Sequence, residues 1–549
     1  MIRKDKADYL EKKASEAESA ARRGDSRTSF AIVRSLSGRF GQTTKPPVRR
    51  RDGTKTHTEE ERKEEWTKHF AGVYCGEVVA RTALQKQTAM DVDLPKLGIS
   101  AVEVEMALGR LGTNKGVGYD LLPAEVLRAG GTGLYAAIAL LYGKVVDELA
   151  WPVQWSGGRI ADVYKRKGDK DDMDAYRGIL LNCHMSKGLA VHLDGYVNAH
   201  YSENMPLNQF GATAKRGTDA ATMLVRSFVR RCHDWRRSFY VLFVDLVKAY
   251  DQIVRELVVG IPKDCGDPRA HLQSLGLSEV QVVYVAAFCA EHGSVFEKWG
   301  VHPRVVLLLQ RLHQGAWFAY ESLDQAVTTS RGGRQGCTFG SKLFNSAHSL
   351  GMVMLAASLE ERGVSTRFVA CVDVFGGGLH QGSRWEASPC QVAFVDDRVI
   401  MASARSPSQL DQAITHINRE LFAMASKLKF EINLKPGKTE ALLRYRGKGA
   451  TRRMRAWLRG DGSLAVPVPE AGGDRAIRIV QSYKHLGGII RDDGSPLPEC
   501  RARSQSGMAA YSPIAQKVFG ASQISQSLRC QFLRSLVCSR TFSTPTHSL

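Results

Sequence analysis

The chain has 549 residues, 43% hydrophobic and 24% charged, a composition that sustains a folded core and excludes a mostly disordered tail protein. At about 150 residues per domain, this length predicts roughly two to four domains. Lys and Arg number 76 against 56 Asp and Glu, a net charge of +20. That balance predicts an extended anionic partner, most often nucleic acid, with anionic lipid and simple solubility left open by charge alone. The 11 cysteines form no C-x-x-C, and none pairs with His at zinc-finger spacing, so no structural zinc is expected. No secretory h-region follows Met1, and apolar runs, such as 305–309, fall far short of the roughly 18 residues that span a bilayer. The expectation is a soluble basic protein of a reducing intracellular compartment, nuclear or cytoplasmic.

In chain order, residues 1–94 read as a charge-dense helical extension, broken where Pro46, Pro47 and Gly53 interrupt periodicity. Ser100 and Glu103 form a capping-box pattern ahead of Val104, Ala107, Leu108 and Leu111, which predicts a short amphipathic helix ending in the glycine-rich GTNKGVGYD. A second helix is predicted over 123–149, with a soft spot at Gly130–Gly131. Strands are predicted at 159–165, in SFYVLFV from Ser238, as pairs within 371–382 and 390–402, and in SYKHLGGIIRDDG from Ser482. Helical patterns at 213–235, 341–362 and 408–429 separate them. Strands and helices mixed with hairpin signals, rather than in strict βαβ alternation, predict an α+β fold. Beyond Ala521 no closing element is expected.

The informative anomaly is acid embedded in apolar strand: Asp245 between VLFV and LV, and Asp396–Asp397 between VAFV and RVIM. Burial disfavours a charged carboxylate unless it is paired or metal-bound. Three such groups on neighbouring strands could hold two divalent cations about 3.5–4 Å apart, the arrangement that serves phosphoryl displacement. Mg²⁺ suits hard oxygen donors of this kind. Spacing alone leaves rivals: Asp171–Asp172 in a hydrophilic loop, Asp492–Asp493 before Gly494 in a turn, and Asp373, whose flanks are also apolar.

The order of the segments resembles the reverse transcriptase of non-LTR (LINE-type) retrotransposons. FVDLVKAYD resembles that family's first catalytic motif, RGGRQGCTFGSKLFN its R-Q-G-C-P-L-S-P-x-L-F-N segment, and AFVDD its A-D-D motif. NLKPGKTEALL is similar to the N-x-x-K-T block and YKHLGGII to the block at the thumb boundary. Upstream, VYKRKGDKDDMDAYRGILL resembles the fingers motif, LGTNKGVGYDLLPAEVL resembles K-x-P-G-x-D-G-x-P, and EEWTKHF resembles the linker before the fingers. The resemblance implies a right-hand polymerase: fingers and palm over 95–490, a partial thumb over 491–549 and the helical extension 1–94. It implies that Asp245, Asp396 and Asp397 hold two Mg²⁺ (Mn²⁺ as the alternative ion), with the Leu246 carbonyl as an extra ligand. By the same resemblance Lys165 and Arg177 grip the triphosphate of a deoxynucleotide, and Tyr250 lies under the incoming sugar. Gln335 and Gly336 pack on the template-paired nucleotide, and Lys438 donates a proton to the leaving pyrophosphate. The implied partners are an RNA template, a DNA primer or target and deoxynucleoside triphosphates, with no membrane and no protein partner.

The chain departs from that pattern at Thr338 and Gly178, each in place of a proline, at Val395 for alanine, and at Arg398 where an apolar residue follows the aspartates. Residues 444–459 carry basic side chains, including Arg452, Arg453 and Arg455, with Tyr445 and Trp457 interleaved. That pattern suits phosphate tracking and base stacking, or a solvated loop. Neither an endonuclease ahead of the polymerase nor a Cys/His nuclease region behind it is read, so the chain is expected to derive from a longer frame. The rival expectation is a non-catalytic nucleic-acid-binding remnant.

Overall fold

The computed structural model describes residues 2–23, 46–213, 216–320, 323–364, 368–371, 384–387, 390–520 and 524–542, with a few isolated positions besides. Asp373 and nearly all of 371–382 lie outside the described residues. The described part is a mixed α/β structure built on two sheets and two hairpins.

The first sheet has five strands in the order β1-β6-β5-β2-β3: β1 (Val78–Ala80), β2 (Gly157–Tyr164), β3 (Tyr176–Asn182), β5 (Trp317–Ala319) and β6 (Gln325–Thr328). Helix α1 (Ile2–Arg22) and helix α2 (Glu59–Val73) bear out the helical reading of the N-terminal segment. The same segment also supplies strand, because Val78 and Val79 after the helix-ending Gly76 pair with Val327 and Ala326. Trp66 and Phe70 of α2 pack with Tyr176, Leu180 and Phe318 in one core cluster. A buried Arg62–Asp162 ion pair fixes α2 to β2. This packing accounts for Gly178, since a Cβ there would stand 2.7 Å from the Phe70 ring.

The second sheet has six strands in the order β12-β13-β11-β4-β10-β9. They are β4 (Ser238–Val244), β9 (Gln391–Phe394), β10 (Asp397–Ala404), β11 (Glu440–Arg444), β12 (Ala465–Pro467) and β13 (Ala476–Ile479). Central β4 lies antiparallel to both β10 and β11, and every one of its residues is buried. Its unbroken apolar run has a plain cause, because both faces are covered. Tyr240, Leu242 and Val244 pack with helices α9 (Gly340–Glu361) and α10 (Pro407–Lys427). Phe239, Val241 and Phe243 pack with α6 (Thr218–Asp234) and Ile490. Each such side chain contributes about 1.5–3 kcal/mol of burial.

The capping box at Ser100 closes as expected at α3 (Ala101–Gly109). The helix expected over 123–149 is two, split at Ala129–Gly130, with α4 (Gly131–Glu148) the longer. Helix α5 (His184–Asn204) follows β3, while α7 (Glu279–His292) and α8 (Pro303–Gln314) lead back to β5. Hairpins β7–β8 (Phe368–Cys371, Arg384–Ala387) and β14–β15 (Ser482–His485, Gly488–Arg491) complete the strands, with α11 (Ala450–Ala456) after β11. Beyond residue 521 the expectation of no closing element is not met by the described residues, while 543–549 lie outside them. The chain forms α13 (Gln526–Phe532) and further helical turns through Phe542, after α12 (Leu497–Tyr511). Ile524, Leu528, Phe532 and Leu536 recur every four residues there, and Thr541 lies against Gly507 of α12. No helix among the described residues is long and apolar enough to cross a membrane.

Candidate active site

The six-stranded sheet gathers acids at one end. Arg398 pairs with Val244, so one step further along the ladder brings Asp397 beside Asp245, just past the end of β4. Asp397 also pairs with Phe394, which leaves Val395 and Asp396 as the two loop residues of the β9–β10 hairpin. Val395 has φ +58°, while Asp396 is not left-handed, the pattern of a II′ turn. A β-branched residue in that region costs on the order of 1–3 kcal/mol, so neighbouring structure must hold it.

The holder is a strap ahead of α6. Fully buried Gln209 accepts from the Val395 N–H at 3.0 Å and donates to the Val395 carbonyl at 3.3 Å. Phe210 donates to the Ala393 carbonyl at 2.7 Å, and a Cβ on Gly211 would collide with the Val395 backbone. Sequence reasoning missed Gln209. Its only signal is an amide two residues ahead of a glycine in the turn LNQFGAT.

The loop after α10 braces Asp245. Asn433 Nδ2 donates to Oδ2 at 2.8 Å and Lys438 Nζ to Oδ1 at 3.0 Å. The Thr439 hydroxyl accepts from the Asp245 N–H at 3.1 Å. Leu246 bridges to Ile432. Tyr483, stacked on Phe243 at 4.1 Å, donates to the Lys438 carbonyl and fixes that loop in turn. Lys438 thus stands against Asp245 as its counter-charge. Asn433 opens the NLKPGKTEALL block quoted from sequence, where it was given no role of its own.

Desolvation, then the charge of Asp245, raises Asp396 above the usual carboxylate range, with Arg177 and Lys438 opposing. Desolvation and then Asp396 and Asp245 raise Asp397. Asp397 touches solvent at the mouth of this site, and that contact tempers its shift. As their side chains stand, no three His, Cys, Asp or Glu among the described residues converge on one point at metal-binding distance. The donor chemistry nonetheless fits a divalent cation: three hard carboxylates meet at adjacent strand ends, where mutual repulsion calls for positive charge.

The five-stranded sheet contributes cations. Arg177 on β3 is exposed and acts electrostatically on both Asp396 and Lys165. Lys165, just past β2, donates to the Asp174 carbonyl at 2.7 Å; partial desolvation, then Arg177, hold its ammonium below the ordinary lysine range. Lys248, not singled out from sequence, pairs with Asp174 at 2.8 Å. Tyr250 is half-buried, stacks on Phe344 at 5.0 Å, bonds Ser341 and lies within electrostatic reach of Asp396. The Gln335 carbonyl accepts from Leu180 of β3 at 2.7 Å, and Gly336, at φ +102°, lies where a Cβ would strike the Leu180 carbonyl. The loop from β6 to α9 thus links β3, through Gln335–Gly336, to the segment after β4, where the Tyr250 carbonyl accepts from Gly333 at 2.7 Å.

The rival acids have other employment. Arg49 and Lys55 each pair with Asp171 at 2.9 Å, Arg444 with Asp492 at 3.3 Å and Arg491 with Asp493 at 2.8 Å. The basic run lies at the opposite end of the sheet, where Arg446 bonds Ser238 at the start of β4. Arg452, Arg453 and Arg455 on α11 are exposed, and Arg453 pairs with Asp411 at 2.7 Å. The interleaved aromatics are inward: Tyr445 is buried and bonds Asp411, and Trp457 donates to the Tyr445 hydroxyl at 2.8 Å. Arg398 is buried as well. It donates to Gln391 and to the Gly351 carbonyl at 3.3 Å, and burial lowers its guanidinium to about 10.

Mixed sheets with a strand-end carboxylate cluster go together with a likeness to transposon-encoded polymerases. The chain is similar to the probable RNA-directed DNA polymerase from transposon X-element of Drosophila melanogaster, with 26% identity over 179 residues. The match covers 32% of this chain and 20% of that relative, so the chain spans about a fifth of the relative's length. This is a reverse-transcriptase-like relationship at a distance. No family model matches the chain.

Proposed function

We propose that the chain is an RNA-directed DNA polymerase of right-hand architecture, the five-stranded sheet serving as fingers, the six-stranded sheet as palm and residues 491–549 as part of a thumb. The observation that carries this reading is the placing of Asp245, Asp396 and Asp397 at adjacent strand ends, within electrostatic reach of Arg177, which in turn neighbours Lys165. Asp245, Asp396 and Asp397 would hold two Mg²⁺ or Mn²⁺ ions. Such ions, when bound, stabilise the attacking 3′-oxygen and the leaving pyrophosphate oxygen. Arg177 and Lys165 neutralise charge growing on the leaving phosphates. Tyr250 limits the space at the sugar, and Gln335–Gly336 support the nucleotide paired to the RNA template. Lys438, already hydrogen-bonded to Asp245, offers an ammonium proton to the pyrophosphate.

The test is extension of a DNA primer on an RNA template by the purified full chain with Mg²⁺ and deoxynucleotides, beside Asp396→Asn. The expected result is extension by the parent and its loss in the variant. Mg²⁺ at about ten times its dissociation constant should also raise the melting temperature of the parent by about 3 °C, and that of Asp396→Asn by less. A folded parent that binds primer–template but neither extends it nor responds to Mg²⁺ would instead be a non-catalytic remnant.

A further inference from the structure

A cleft of about 920 Å³ opens at the end of the six-stranded sheet away from the acids. It is reached where β10 ends at Ala404, paired with Ser238 at the start of β4. Its lining includes Arg237, Arg362, Arg405, Arg419, His416 and Asp411. Asp411 is already claimed by Arg453 and Tyr445, and Arg419 shares its charge with Glu420 at 3.3 Å. No described carboxylate forms an ion pair with Arg237, Arg362 or Arg405. Among the described residues Arg237 Nε is buried without a hydrogen-bond partner. Such a donor costs about 1–3 kcal/mol unless an acceptor reaches it.

We propose that this cleft is a second binding surface, separate from the acid end, for the phosphodiester backbone of single-stranded RNA. Three observations favour nucleic acid over an acidic protein segment. The cations are arginines, whose planar forks match phosphate oxygens in pairs. The lining sets Arg237, Arg362, Arg405 and Arg419 against a single carboxylate, Asp411, which Arg453 and Tyr445 already hold, so the open cleft is net positive and suited to a tracked backbone. Trp235, two residues before Arg237, is 44% exposed with Arg231 over its ring at 5.2 Å, an aromatic of the kind on which bases stack. At about 3.3 Å per residue, the seven residues of β4 separate this cleft from Asp245 by roughly 20 Å, so one chain could hold RNA there while its other end is occupied.

The experiment uses the full chain saturated with an unlabelled primer–template duplex, then titrated with fluorescein-labelled oligouridylate and followed by anisotropy. Saturable binding is expected despite the duplex. Arg362→Gln with Arg405→Gln, both exposed and distant from the polymerase residues, should weaken it at least about tenfold; at about 0.7 per phosphate the slope of log affinity against log salt should flatten by about 1.4. Trp235→Ala should weaken binding by about tenfold with an unchanged slope, because stacking carries no charge. Oligothymidylate in parallel separates RNA from DNA. Unchanged affinity and slope in a double variant of parental melting temperature would overturn the proposal. So would polyglutamate displacing the oligonucleotide at equal charge concentration, which would assign the cleft to an acidic segment. Absence of primer extension would leave this result standing, so the two readings fail separately.

Discussion

Strands β4 and β10 carry opposite chemistry at their two ends. At one end Asp245, Asp396 and Asp397 sit at adjacent strand ends; at the other Arg237 and Arg405 flank the strands beside Arg362. The interiors of these strands are dictated by packing on both faces, so chemistry is left to the residues just beyond them. The two ends are also built differently. Asp245 receives hydrogen bonds from Asn433 and Lys438, and the Val395 turn is strapped by Gln209. Arg362 and Arg405 are exposed, without an ion-pair partner among the described residues. Braced charge suits a reaction that needs fixed geometry. Free charge suits a sliding polyanion.

The largest expected break in this comparison is Asp396→Asn. Loss of one charge from the acid end should lower primer extension by about 10²–10³-fold or more, while oligouridylate binding at the arginine end stays as it was. A parallel fall in both would mean that the ends act as one site. The next effect is on stability. Asp251 is buried beside the Tyr74 hydroxyl, and desolvation raises its carboxyl to about 6. Unfolded, the group ionises near about 3.9, so the folded state keeps its proton longer. Ionising it costs the fold nothing below about pH 4, progressively more up to pH 6 and the full amount above. Asp251→Asn should therefore stabilise the protein by about 2–3 kcal/mol at pH 8 and by close to nothing at pH 4, read from urea midpoints. An equal gain at both pH values would show that Asp251 is not a strained acid.

Much of the acid end was legible in sequence because a carboxylate in an apolar strand violates packing rules over a short window. Asp245 and Asp396–Asp397 stand out for that reason. Gln209 did not, since its partner lies 186 residues away and nothing local marks a buried amide as a brace; Asn433 stood in a quoted motif block, but its partner Asp245, 188 residues away, left its role unmarked. The basic run 444–459 was visible as charge, yet its aromatics turned out to be packed inward, because composition does not report which face a ring presents. Gly178 read as a departure from a proline-containing motif; in three dimensions it is the space that Phe70 of α2 occupies. The strand at 78–80 was hidden by brevity, for a strand of three residues has too few positions to show alternation.

A third effect concerns sugar choice at the acid end. Tyr250 is held by Phe344 and Ser341 and lies near Asp396, a setting that keeps its ring in one place. If the ring lies against C2′ of the incoming nucleotide, Tyr250→Val should raise relative use of GTP over dGTP by about tenfold, about 1.4 kcal/mol of discrimination. The ratio of kcat/KM for the two nucleotides on one RNA template measures it. An unmoved ratio in a variant that still extends with dGTP would make Tyr250 a packing residue under Phe344.

The smallest effect sharpens the arginine end. Arg453 lies on α11 with its charge spent on Asp411 at 2.7 Å, whereas Arg405 has no such partner among the described residues. Only an arginine that reaches phosphate releases a counterion on binding, so Arg405→Gln should flatten the salt slope for oligouridylate by about 0.7. Arg453→Gln should flatten it by less than half as much. It should still lower affinity about two- to threefold, because Asp411 is left to repel the backbone from inside the cleft. Adding Asp411→Asn to Arg453→Gln should then return affinity to the parental value, a coupling that a double-mutant cycle isolates. A full 0.7 change from Arg453→Gln alone would mean that Arg453 leaves Asp411 for phosphate, and that the cleft extends over α11 to Arg452 and Arg455.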